Sequence, residues 1–146
     1  MTSGSSVTLA GVRAARAAIA PHLPRTPLMK HPLLDAETGL DLWVKHENHL
    51  PTGAFKVRGG FNYLAHLGEA ERRRGLITAT RGNHGQSIAL ASRVHGVRCV
   101  IAVPHGNNPE KNAAMRAFGA ELIEHGADFD AACEHAERLA DEQGLL

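Results

Sequence analysis

Aromatic side chains are scarce in this sequence, at 4% of 146 residues, so the interleaved rings and basic groups of a single-strand nucleic-acid binder are missing. Neither sign of charge dominates. Sixteen basic and fifteen acidic residues leave a net charge of +1, and the like-charged run Arg72-Arg73-Arg74 reads as a solvated helix end. Nucleic acid is therefore not an expected partner. No apolar run approaches the about 20 residues that span a bilayer, and Met1 to Val7 is small and polar, unlike a secretory leader. A flexible tail over 1–7, no membrane association and a cytoplasmic location are the expectations. Cysteine is limited to Cys99 and Cys133, far apart in apolar surroundings, which excludes a thiolate zinc site and makes both core residues. His46 and His49 have only Glu47 nearby as a third ligand, and no metal is expected.

The 43% hydrophobic and 21% charged composition is ordinary for a globular chain long enough to bury one sizeable core. Thr8 can cap a helix whose apolar positions Leu9, Val12, Ala15, Ala18 and Ile19 recur at helical spacing, and Pro21 and Pro24 stop it. Residues 24–32 read as an extended connection, 41–45 as a short strand and 46–53 as a loop. A helix is expected over 54–67, with Phe61, Leu64 and Leu67 on one face. Its paired glycines, Gly59 and Gly60, suggest close packing.

From Gly75 onward a strand-turn-helix unit repeats. Strands are expected at 76–80, 98–103 and 121–124. Helices are expected at 86–95, at 109–118 behind the cap Asn108, and after the cap Asp128, where Phe129, Ala132, Ala136 and Leu139 form the buried stripe. Leu145 and Leu146 read as the opening of a further strand. Short apolar strands alternating with amphipathic helices imply an open parallel α/β sheet covered by helices on both faces.

In such sheets ligands sit at the carboxyl ends of the strands, where helix starts present backbone N–H groups to an anion. The turn Thr80-Arg81-Gly82-Asn83-His84-Gly85 occupies such a place and would suit a carboxylate, although taken alone it also reads as an ordinary polar-capped turn. Lysine is rare, with Lys30, Lys45, Lys56 and Lys111 against twelve arginines. Of these, Lys56 lies at a glycine-flanked helix start. There the helix dipole and partial burial beside Phe55 would favour the neutral amine that imine chemistry needs. Alone, the pentapeptide Thr52 to Lys56 equally reads as a solvated helix start. Lys111, in another helix first turn, reads as exposed.

Together, Glu47-Asn48-His49-Leu50-Pro51-Thr52-Gly53-Ala54-Phe55-Lys56-Val57-Arg58-Gly59-Gly60 and Ala79-Thr80-Arg81-Gly82-Asn83-His84-Gly85-Gln86-Ser87 resemble the two signature segments of the serine/threonine dehydratases. These are pyridoxal-phosphate enzymes of the tryptophan-synthase-β-like type (fold type II). The resemblance runs from Arg25-Thr26-Pro27-Leu28 to the end of the chain. It implies that Lys56 forms a Schiff base with pyridoxal 5'-phosphate, Phe55 packs on the pyridine ring and Asn83 bonds the ring hydroxyl. Thr80, Arg81, Gly82, Asn83 and His84 would hold the carboxylate of an amino acid substrate.

The implied reaction is β-elimination of a hydroxy amino acid to a 2-oxo acid and ammonia. Ala54 replaces the usual serine of the lysine motif. Arg81 stands where serine racemases place their second base, which favours elimination over racemisation. The phosphate-cradling loop of the family is expected beyond position 146, so the resemblance divides the chain into a cofactor-domain segment at 8–70 and a small α/β domain at 71–146. The rest of the cofactor domain is expected to be absent, as in a truncated product or fragment, and the full-length enzyme to be a homo-oligomer. Another activity of the superfamily, such as a racemase or a threonine-synthase-like enzyme, and a non-catalytic α/β binding module are the alternatives.

Overall fold

The structure, a computed structural model, describes residues 7–146; most of the tail expected at 1–7 lies outside the described residues. Helix α1 (Leu9–Ile19) starts where expected, with the Thr8 hydroxyl accepting from Gly11 N at 3.0 Å. Its apolar stripe is not buried as the spacing suggests. Ile19 reaches the core, while Leu9 and Val12 are 66% and 53% exposed, because α1 packs through its C-terminal end on the helix at 56–66.

The connection read as extended holds strand β1 (Leu28–Lys30), and helix α2 (Pro32–Thr38) follows, opened by its proline and closed by Gly39 in the left-handed region. Strand β2 (Trp43–Lys45) pairs antiparallel with β1, Met29 opposite Val44. The two strands turn Leu28, Met29 and Trp43 substantially outward. After a single 3-10 turn at Glu47–His49 come α3 (Lys56–His66) and α4 (Glu69–Arg74). The arginine run ends α4 as expected but is not merely solvated. Arg72 donates to the carbonyls of Leu64 and Leu67, and Arg74 to those of Gly144 and Leu145.

The repeating units form a three-stranded parallel sheet in the order β3 (Leu76–Ala79), β4 (Cys99–Val103), β5 (Glu121–Glu124). Helices α5 (Asn83–His95), α6 (Pro109–Ala117) and α7 (Phe129–Gln143) complete the fold. All five residues of β4 are buried, as a central parallel strand requires. Cys99, Ile101 and Val103 face one side, with Met115 of α6, Ile88 of α5 and, outside them, Val57, Phe61 and Leu64 of α3. Ala102 faces the other, against Ala132 and Ala136 of α7. Helices thus cover both faces, and one core joins residues on either side of the expected boundary at 70/71.

Phe129 does not join the stripe expected for α7. It is the first helical residue, beyond the sheet, and is 36% exposed. Cys133 is half-buried, not a core residue, whereas Cys99 is buried and its thiol is pushed up to about 11 by desolvation. Leu146 N donates to Gly75 O and Leu146 O accepts from Ile77 N. That is one step of a parallel ladder on the free side of β3, in keeping with the strand opening expected there.

Candidate active site

Lys56 is the first residue of α3, so Gly59, Gly60 and Tyr63 follow it along one helix face at spacings of three and four. This face lines a cleft of 690 Å³ whose opposite wall is His84 of α5 and whose floor is Leu76, Ile77 and Ile88. Phe55 stands at its edge. The partial burial expected for Lys56 beside Phe55 is not found, because the loop enters α3 at the surface: Lys56 is exposed and Phe55 is 63% exposed.

What fixes the backbone at Lys56 is α5. The buried Ser87 hydroxyl donates to Lys56 O at 2.7 Å, and the two helices approach so closely that a Cβ at Gly60 would lie 2.7 Å from Ser87 O. The close packing inferred from the glycine pair therefore belongs to Gly60. Nothing crowds Gly59, which leaves the cleft open.

The second expected segment lies at the carboxyl end of β3. Thr80 is buried, and its Oγ1 accepts from Gly82 N at 3.0 Å and Gly85 N at 3.2 Å. The helix begins earlier than residue 86, so Asn83, His84 and Gly85 form its first turn. No protein acceptor among the described residues takes the amides of Asn83 and His84. They are the donors a carboxylate would find. Buried Gly85 touches the core, where an added Cβ would overlap Met115 Sδ and Thr80 Cγ2. Met115 thus sets the size of that position.

Lys56 and His84 therefore meet across one cleft. Desolvation, and then the nearby Lys56 charge, hold the His84 imidazole below the usual histidine range, and its Nε2 lies 3.2 Å from Thr78 Oγ1. Thr80, Arg81 and His84 also border a neighbouring cavity of 550 Å³ with Phe129 and Asp130. Asn83 is exposed on the first turn of α5 and lines neither cavity. Gly82 is buried beneath the Lys111 side chain, whose Nζ would lie 2.8 Å from a Cβ there. Lys111, read as exposed, is half-buried instead. The topology held the signal for this: β3 and β4 are neighbours, so the helices that follow them start side by side at the carboxyl edge. Tyr63 could have been found from its helical spacing to Lys56.

Beneath α3, Glu47 anchors the approach to Lys56. It accepts from Arg58 Nε at 2.6 Å, Arg58 Nη2 at 2.9 Å and Thr26 Oγ1 at 2.6 Å. The Arg58 hydrogen bonds, then that of Thr26, outweigh desolvation and lower the Glu47 carboxyl to about 2.

An open parallel α/β sheet with an accessible lysine facing a helix start across a cleft defines a protein of the fold type II class of pyridoxal-phosphate enzymes. The chain belongs to the pyridoxal-phosphate-dependent enzyme family, whose model matches residues 19–146. It is 37% identical over 140 residues to the L-threonine ammonia-lyase of Thermotoga maritima, covering 96% of this chain and 35% of that relative. It is 35% identical to the catabolic L-threonine dehydratase of Staphylococcus aureus, covering 95% of this chain and 40% of the relative. Maize serine racemase superposes with a TM-score of 0.88 at 31% identity, covering 92% of this chain and 41% of that one. The chain thus spans between a third and a half of the length of these relatives.

The family's cofactor is pyridoxal phosphate, and the residues present fit it. The cleft offers an accessible primary amine for its aldehyde, an exposed aromatic ring beside that amine for its planar ring, and an apolar floor. Among the described residues no helix is long and apolar enough to cross a membrane, and no cluster of three or more metal-ligating side chains occurs.

Proposed function

We propose that this chain carries the lysine and carboxylate-binding part of a threonine or serine ammonia-lyase, which eliminates water from a hydroxy amino acid to leave an enamine, whose hydrolysis gives a 2-oxo acid and ammonia. The observation that carries the reading is Lys56 facing His84 across the 690 Å³ cleft, at the mouth of a helix start with free amides. Bound pyridoxal phosphate supplies the electron sink for charge left at the substrate Cα. Lys56 Nζ would hold the cofactor through its aldehyde carbon and would serve as the base that takes the substrate Cα proton. Phe55 would cover the cofactor's ring, and Asn83, exposed on the first turn of α5, would bond its hydroxyl. The substrate carboxylate is held by the Thr80–His84 turn through the amides of Asn83 and His84, with Arg81 and His84 beside them. Thr80 serves by keeping the turn in shape.

Arg81 stays protonated and cannot serve as a second base on the opposite face, which supports elimination rather than racemisation. The amino acid substrate, a homo-oligomeric full-length enzyme and the division into a cofactor-domain segment (8–70) and a small domain (71–146) are parts of the same proposal.

The test is to add pyridoxal phosphate to the purified chain, reduce with borohydride and map the labelled peptide. Label on Lys56 supports the reading. Label on Lys30, Lys45 or Lys111 in its place refutes it, and label on none leaves a binding module as the better description.

A further inference from the structure

A second groove lies on the other side of Arg58, away from Lys56. Arg16 and Ile19 of α1, Leu23 and Arg25 of the following connection, Lys45 of β2 and Arg58 line a cavity of 420 Å³. Four cations converge there. The carboxylate beside them, Glu47, touches two of the four: it accepts from Thr26 and twice from Arg58 and lies 3.8 Å from Lys45 Nζ, which also donates to Thr26 O. One carboxylate against four cations leaves three positive charges over.

The Arg16 and Arg25 guanidinium groups make no hydrogen bond or ion pair among the described residues, and both residues are exposed. Residues 1–6, Met-Thr-Ser-Gly-Ser-Ser, carry no acidic side chain that could neutralise them. Like charges held around a concavity repel one another and raise the local concentration of anions. The guanidinium fork matches a tetrahedral oxyanion in shape, and phosphate esters carry close to two charges near neutral pH. The rest of the lining is an apolar wall of Ile19, Ala20, Leu23 and Pro24, in which Ala20 and Pro24 are exposed. A volume of 420 Å³ exceeds what a bare phosphate fills and leaves room for a body against that wall.

We propose that this groove binds an organic phosphate monoester, its phosphate among Arg16, Arg25 and Lys45 and its body against that apolar wall. The site is separate from the Lys56 cleft and does not depend on the proposed reaction. Arg58 contributes one face to each cavity, and its Nε and Nη2 are already taken by Glu47. The groove therefore relies on Arg16 and Arg25 for its free charge.

The test is a titration of the isotopically labelled chain with phenyl phosphate, without pyridoxal phosphate, followed by NMR. Amide shifts should move at Arg16, Ile19, Arg25 and Lys45. Inorganic phosphate should bind the same residues more weakly, and phenol should not bind. The double variant Arg16→Gln/Arg25→Gln should lose at least tenfold in affinity, with its spectrum unchanged elsewhere; Arg25→Gln alone should lose a smaller factor. Shifts confined to Tyr63 and Ile77 would assign the ligand to the Lys56 cleft and overturn the proposal. So would equal affinity in the double variant, or equal binding of phosphate and phenyl phosphate.

Discussion

The Ser87 hydroxyl donates 2.7 Å to the backbone carbonyl of Lys56, so α3 is tied at its first residue to the helix across the cleft. A buried side-chain to backbone bond of this kind contributes about 0.5–1.5 kcal/mol net, and losing the hydroxyl leaves a small void between two closely packed helices. Ser87→Ala should therefore lower stability by about 1–2 kcal/mol and speed amide exchange at the start of α3, read by chemical denaturation and hydrogen exchange. Unchanged exchange there would show that packing alone holds the lysine.

Two glycines of the strand-to-helix turn should respond differently to a methyl group. At Gly85 an added Cβ overlaps core atoms of Met115 and Thr80, which cannot withdraw, and overpacking of this sort costs about 1–3 kcal/mol. At Gly82 it meets only the flexible side chain of Lys111. Gly85→Ala should lower the melting temperature clearly, while Gly82→Ala should change it little and displace Lys111, visible as faster modification of its amine.

Glu47 titrates at about 2 in the folded chain, below the usual carboxylate value near 4.5. A lowered folded pKa means that its contribution to stability is complete above about pH 4.5. It fades as pH falls toward 2, where the native carboxylate takes up its proton. Wild type should thus lose stability across that window more steeply than Glu47→Gln, which should be less stable at neutral pH. Parallel stability curves from pH 5 to 2 would refute this.

Removing the charge at position 56 should release His84. Its imidazole is held low first by desolvation and second by Lys56, so Lys56→Gln should raise the His84 pKa partway toward the ordinary histidine value, followed by NMR titration of the ring. No change would mean that the ammonium does not face His84.

Asn83 is exposed and lines neither cavity of the site, so Asn83→Ala should leave the circular dichroism and melting curve nearly unchanged. If it orients the cofactor as proposed, the absorbance spectrum of the loaded chain shifts in the variant. An unaltered spectrum would reduce it to a surface residue.

The units after Gly75 were legible because each signal was local: short apolar strands, and Asn108 and Asp128 as caps of the helices that follow. The region before Lys56 was harder. Strand β1 has three exposed residues with no alternation to read, and it exists through its pairing with β2 some 15 positions away. The stripe on α1 followed the period of a buried helix, yet only Ile19 meets the core. Lys56 and the Gly82 turn were visible as motifs. The Lys111 contact and the Ser87 tie were not, since both depend on how closely two helices approach, which no single-residue pattern encodes.

Thr80 Oγ1 takes the amides of Gly82 and Gly85 and leaves those of Asn83 and His84 free. The groups that would meet an anion are thus main-chain atoms, and their positions are set by a buried hydroxyl and two glycines. Side chains at 81, 83 and 84 project from this frame without holding it up. Under the proposed reaction, exchange of Arg81 for a residue able to accept a proton would therefore redirect the outcome while leaving the anion grip intact. The turn separates what is fixed from what can drift, and on the proposed reaction position 81 is the economical place for one fold to acquire a different outcome.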